Sequence, residues 1–226
     1  MSVTCNDVSR HERNRSNKTS SAKAQIMRLV RSRIALLFIG MFVAPSFAGE
    51  LTTAKIQNCT WCHGTSAQGY ETAPRLAGQR HQYIMNQLVA FRAHSRDNPF
   101  SKQYMWRATA NLGPDTARDL ATYFSRLTPK AANDGDTQLA TVGRTIYEDG
   151  NPDANIVSCA VCHGPKAEGI RQIPRLGGLS YSYLKGKLEQ WGEGYHSAAE
   201  PPMPRIAGKL PPNVIDALAS YLSFVK

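Results

Sequence analysis

Two stretches, Cys59-Thr60-Trp61-Cys62-His63 and Cys159-Ala160-Val161-Cys162-His163, decide how the rest of this 226-residue chain is read. On one helical turn, side chains at i and i+3 share a face, so each pair of thiols projects together, with a histidine directly after it. Several chemistries use cysteines at this spacing. Two disulfides are the first reading for four cysteines in an exported protein. Structural zinc would need two more ligands for each pair. Beyond these four the chain has only Cys5, in a segment read below as discarded. A redox dithiol has no use for the histidine.

Covalent haem attachment uses every residue of the pattern. The two thiols form thioethers to the two vinyl groups of a porphyrin, and the histidine is carried beneath the iron as proximal ligand. Cys-x-x-Cys-His is the c-type haem attachment motif. Two copies imply two haem c groups, one on Cys59, Cys62 and His63 and one on Cys159, Cys162 and His163.

Outward from the motifs, the chain repeats itself. At an offset of 100, Gly64, Ala67, Gly69, Pro74, Arg75, Leu76, Gly78, Tyr83 and Leu88 each meet an identical residue. At an offset of 98, Met105, Arg107, Leu112, Pro114, Leu120, Ala121, Tyr123 and Ser125 do the same, ending at Ser223. The expected organisation is a leader over 1–48, one module over 49–130, a polar linker over 131–136 and a second module over 137–226. The linker Ala-Ala-Asn-Asp-Gly-Asp follows Pro129 and is rich in turn formers.

The pattern within each module is helical. Pro114 suits a first turn and is followed by Ala117, Leu120, Ala121, Phe124 and Leu127 at helical spacing. The counterpart begins near Pro211 and Pro212 and places Val214, Ile215, Leu218, Ala219 and Leu222 on one face. A further helix is expected from Thr137 to Asp149, with Leu139, Val142 and Ile146 inward and Gly150 as its stop. No sustained strand alternation is present. Modules this small bury little surface unaided, so a large apolar haem would supply much of each core.

The sixth iron ligand separates electron carriers from gas binders and catalysts. After residue 48 the methionines are Met85, Met105 and Met203. Met105 and Met203 match in the repeat and are read as axial ligands, the alternative being methionines that fill irregular core gaps. Met203 is framed by Pro201, Pro202 and Pro204; Met105 has no such frame. Met85 falls in a helical run with Ile84 and Leu88. His81, His94 and His196 occupy no matching places and read as surface histidines. Pro74 and Pro174, eleven residues after their histidines, offer carbonyls to the distal ring nitrogens. Arg75 and Arg175 follow and could pair with haem propionates, the alternative being ordinary surface arginines.

The net charge of +10 suggests a polyanionic partner until it is located. Residues 1–48 hold eight basic and two acidic side chains, so the remainder carries only +4, and nucleic-acid binding is not expected. The first stretch reads as an export signal: a basic region ending at Arg33, an apolar run over 34–43, then Ser46-Phe47-Ala48 as a cleavage site. Ten apolar residues are about half of the ~20 that a spanning helix needs. An uncleaved anchor is the competing reading, and Met27 is an alternative start. Export places the protein in the periplasm.

The paired motifs, Pro-Arg-Leu-x-Gly at 74–78 and 174–178, the matched methionines, and Asp-Leu-Ala-x-Tyr at 119–123 against Ala-Leu-Ala-x-Tyr at 217–221 make the chain resemble dihaem cytochromes c of the c4 type. Each module resembles a class I cytochrome c. The resemblance implies an all-α fold of two tandem haem domains about a pseudo-twofold axis, His/Met ligation and periplasmic one-electron transfer without enzymatic turnover. It implies redox partners such as a terminal oxidase, a quinol-oxidising complex or a dehydrogenase, with peripheral membrane contact possible. The alternative is the electron-accepting subunit of a dehydrogenase or flavoprotein. Two departures are the short run of ten residues between the cleavage site and Cys59, which shortens the first helix, and the missing proline frame at Met105.

Overall fold

A computed structural model describes residues 53–195 and 202–226. The export signal, its cleavage site, Met27, His196 and Pro201 lie outside the described residues. In the first module α1 (Thr53–His63) carries the first motif in its last turn, followed by α2 (His81–Arg92). A π-helical segment (Ser101–Met105) runs into the short α3 (Trp106–Thr109), and α4 (Pro114–Arg126) closes the module. The second module has α5 (Thr137–Asp149), α6 (Ala160–His163), α7 (Tyr181–Gly192), α8 (Met203–Ala207) and α9 (Pro212–Phe224). Two isolated bridges, Asn151 with Ile156 and Ile170 with Ile173, are the β-type pairings among the described residues.

The terminal helices form for the reasons their sequences give. Proline sits in the first turn of α4 and of α9, where its missing N–H costs nothing. Ala117, Leu120, Ala121 and Phe124 are buried on α4, and Val214, Ile215, Leu218, Ala219 and Leu222 on α9. The first core joins α4 to Ile84 on α2, with Ile56, Met85 and Leu88 packed against it. The second joins α9 to Ile146, Tyr147, Leu179 and Leu184.

Helix α5 spans the expected residues, is capped by the Asp136 carboxylate, and stops at Gly150. Its buried face differs from expectation. Leu139 is 39% exposed and Val142 53%, whereas Gly143, Ile146 and Tyr147 are buried. The face is turned by one residue because Gly143 lies directly on α9: a Cβ there would come 1.9 Å from the Ala217 carbonyl oxygen. A glycine adds nothing to an apolar pattern, so the contact was invisible to periodicity. Gly143→Ala is expected to destabilise the second module by about 3 kcal/mol, the upper end of ordinary overpacking, since the atom it meets is backbone. Thermal unfolding followed by circular dichroism would check this.

One pair of residues matched in the repeat lies where the modules meet. Tyr83 and Tyr183, paired in the repeat, come together on either side of Arg96, which bonds to both. Burial, followed by the Tyr183 charge, pushes the Tyr83 phenol up to about 12. The segment 131–136 is strapped to the second module. Ala132 N–H donates to the Gly178 carbonyl and Asn133 N–H to that of Ser223. Gly135 and Asp136 N–H groups donate to the Ser223 and Ser220 hydroxyls.

Candidate functional site

His63 ends α1 and His163 ends α6, and both are buried, at 7% and 6% exposed. The Nδ1 of His63 lies 2.6 Å from the Pro74 carbonyl oxygen, and that of His163 lies 3.0 Å from the Pro174 carbonyl oxygen. A carbonyl can only accept, so each ring holds its proton on Nδ1 and leaves the Nε2 lone pair for a metal. Burial lowers the pKa of both imidazoles, against the raising effect of the proline carbonyls. The rings are therefore neutral near pH 7, the state a metal ligand needs.

The loop that delivers these carbonyls is built twice from the same bonds. Gly69 N–H donates to the His63 carbonyl and Gly169 N–H to that of His163. Leu76 and Ala77 donate to the Ala67 carbonyl, as Leu176 and Gly177 do to that of Ala167. The chain passes so close that a Cβ on Gly69 would lie 2.4 Å from the Arg75 nitrogen, and one on Gly169 2.4 Å from the Pro174 carbonyl carbon. This is why glycine recurs there.

Cys59 and Cys159 are half-buried, Cys62 and Cys162 are exposed, and none of the four is paired in a disulfide. Burial pushes the Cys59 and Cys159 thiols up to about 11, the opposite of what a reactive dithiol requires. Among the described residues no group of three or more His, Cys, Asp or Glu side chains is assembled to hold a metal ion. The intervening Trp61 and Val161 point to solvent, at 88% and 83% exposed.

Met105 is the last residue of the π-helical segment and Met203 the first of α8; both are half-buried. Met105 is followed by Trp106, whose own position is fixed by two contacts. The Trp106 ring stacks on His94 at 3.9 Å between centroids, and its indole N–H donates to the Arg96 carbonyl at 2.9 Å. His94 is exposed and stacks on Trp106 at the surface, as a surface histidine should, and His81 opens α2.

The arginines divide. Arg75 is 5% exposed and donates to three backbone carbonyls, those of Lys130, Gly178 and Gly177. Burial excludes the surface alternative for Arg75, and its guanidinium joins the first module to the second. Burial, and then the Arg175 charge, lowers its pKa to about 10, so it remains cationic. The Nε of Arg175 is buried without a partner among the described residues, and so is the Nε of Arg96. Arg96 went unnoticed in the sequence because it has no equivalent in the repeat, which places His196 opposite it. Its charge bears on His63, lowering the imidazole pKa further.

These groups fit two covalently held haems: paired thiols on one turn, a buried neutral imidazole oriented by a carbonyl, and buried arginine nitrogens of the kind that a propionate satisfies. The cytochrome c family matches residues 140–226. A cytochrome c4 from Thiocapsa roseopersicina is 31% identical over 73% of this chain and 85% of its own length. The chain belongs to the cytochrome c4 family. A solved cytochrome c4 from Acidithiobacillus ferrooxidans superposes with a TM-score of 0.69 at 30% identity, over 74% of this chain and 98% of that one. A thiosulfate dehydrogenase electron acceptor from Stutzerimonas stutzeri is 32% identical over 74% of this chain and 78% of its own. As a cytochrome c4, the protein has two class I cytochrome c domains, carries two covalently bound haem c groups and transfers electrons.

Proposed function

We propose that this cytochrome c4 is an exported, periplasmic carrier in which His63 and Met105 would hold one haem iron and His163 and Met203 the other. The observation that carries the reading is the duplicated His–Pro carbonyl bond, which fixes the tautomer and raises the donor strength of both proximal ligands. When bound, each haem supplies one-electron cycling between Fe(II) and Fe(III). The chain's own residues do the rest. Cys59 and Cys62, with Cys159 and Cys162, anchor the groups. Methionine sulfur favours the reduced state and fills the position that a substrate would need. The partnerless Nε groups of Arg96 and Arg175 are donors for haem propionates. With Met105 and Met203 on the irons, turnover such as peroxidase chemistry would have no site. Carbon monoxide should therefore bind the reduced native protein slowly or not at all; rapid binding would overturn the carrier reading.

Charge points to where partners dock. Residues 49–132 hold ten basic and five acidic side chains, whereas residues 133–226 hold nine and ten. Propionates shift both modules negative and leave the contrast. An acidic redox partner, such as an oxidase, a quinol-oxidising complex or a dehydrogenase, is expected to approach the first module. Its association rate should fall steeply with ionic strength. Stopped-flow reduction that ignores salt would refute this steering.

A second reading, a dedicated acceptor for a dehydrogenase, is favoured by one observation: a relative that bears the name of thiosulfate dehydrogenase electron acceptor matches as well as the cytochromes c4 do. Pull-down from the native cell envelope separates the two, by recovery of a stoichiometric dehydrogenase or of none. Among the described residues no helix is long and apolar enough to cross a membrane.

A further inference from the structure

We propose that Gln79, in the first module, sets the donor strength of His163 in the second, and so tunes the potential of the second haem alone. The inference rests on His163 being the proximal ligand of that haem. The Pro174 carbonyl and the Arg175 N–H are two ends of one peptide group. At one end the carbonyl accepts from His163 Nδ1. At the other, the Arg175 N–H donates to Gln79 Oε1 at 2.8 Å. Gln79 also donates from Nε2 to the Arg175 carbonyl at 2.9 Å, so its amide grips that residue on both sides.

The orientation of the amide is not arbitrary. Oε1 also accepts from the Arg80 N–H at 2.8 Å, and a flipped amide would set its NH2 group against two N–H donors. Gln79 is only 7% exposed, so water does not compete well for these bonds. Hydrogen bonds in series polarise one another, and a peptide group transmits that polarisation from its N–H to its oxygen. An acceptor on the Arg175 N–H therefore makes the Pro174 oxygen a better acceptor. The His163 ring then gains imidazolate character and stabilises the ferric state of its iron.

The device is one-sided. The repeat pairs Gln79 with Leu179, whose side chain offers no acceptor and is buried in the core of the second module. The first module thus acts on the second haem's ligand through Gln79, and at the matching position the second module offers no amide with which to act in return.

The test uses the intact dihaem protein. In Gln79→Leu, the midpoint potential of the second haem should rise, by up to a tenfold change in its redox equilibrium or ~59 mV for one electron, while that of the first stays fixed. Haem methyl resonances followed through a redox titration assign the two potentials. In the reduced protein the His163 Nδ1 proton should move upfield and that of His63 should not. Gln79→Glu keeps the accepting oxygen and must not raise the second potential. Arg80→Lys keeps the charge while disturbing the neighbouring contact from Arg80 to the Glu168 carbonyl, and should leave the second potential in place. The proposal is overturned if the second potential and the His163 proton are unmoved in Gln79→Leu, if both haems shift together, or if Arg80→Lys reproduces the rise. Two intact haem c spectra in a variant with unmoved potentials would sink the relay and leave the electron-transfer reading standing.

Discussion

Replacing Cys159 and Cys162 together by alanine should yield a protein with one haem c fewer by mass and a second module that no longer melts cooperatively. The expectation follows from how the attachment motif is built into that module's core. Its buried cluster is mostly small and medium side chains from α5, α7 and α9, with Tyr147 the one aromatic fully buried among them. Cys159 itself packs against that cluster. Losing the thioethers removes both the anchor and the apolar mass that they hold in place. The first module keeps its own cluster around Ile84, Leu120 and Phe124 and should retain its haem. Mass spectrometry of protein matured alongside a working attachment apparatus reads the outcome. A variant that retains two haems, or one that loses both, would contradict it.

The second large effect belongs to Met203. Met203→Ala should erase the absorption band from methionine sulfur to ferric iron at one site, leave the other half of that band intact, and let the reduced protein bind carbon monoxide at one haem per chain. The potential of that haem should fall, because the thioether is what favours Fe(II). The flanking Pro202 and Pro204 hold the start of α8 whatever residue stands at 203, so the change should be local. An unaltered spectrum would show that another group caps the second iron. The corresponding change at Met105 tests the first site.

What could be read from the sequence were features with a local signature. The attachment motifs are contiguous, the duplicated loop is spelled by its glycines and prolines, and α4 and α9 announce themselves by a first-turn proline and helical spacing. What could not be read depended on backbone atoms from distant parts of the chain. Nothing in its residue type says that Arg75 donates to the carbonyls of Lys130, Gly177 and Gly178. Gln79 carries no motif, and its partner is a peptide group 96 residues away. Leu139 and Val142 look like core because glycine, which marks the true contact at 143, has no hydropathy to display. Long-range pairing to main chain leaves no trace in residue type.

The strap over 131–136 has one more consequence. Ser220 and Ser223 lie at 0% exposure inside the last helix, and it is the N–H groups of Gly135 and Asp136 that occupy their hydroxyl oxygens. An ordinary tether tolerates added length, since slack costs little entropy. Here an inserted residue would unplug two dry hydroxyls beneath the carboxyl terminus, and each stranded oxygen would cost roughly 1–3 kcal/mol. The spacer therefore behaves as a keyed part of the domain that follows it, and anyone cutting the gene into halves should leave it with the second.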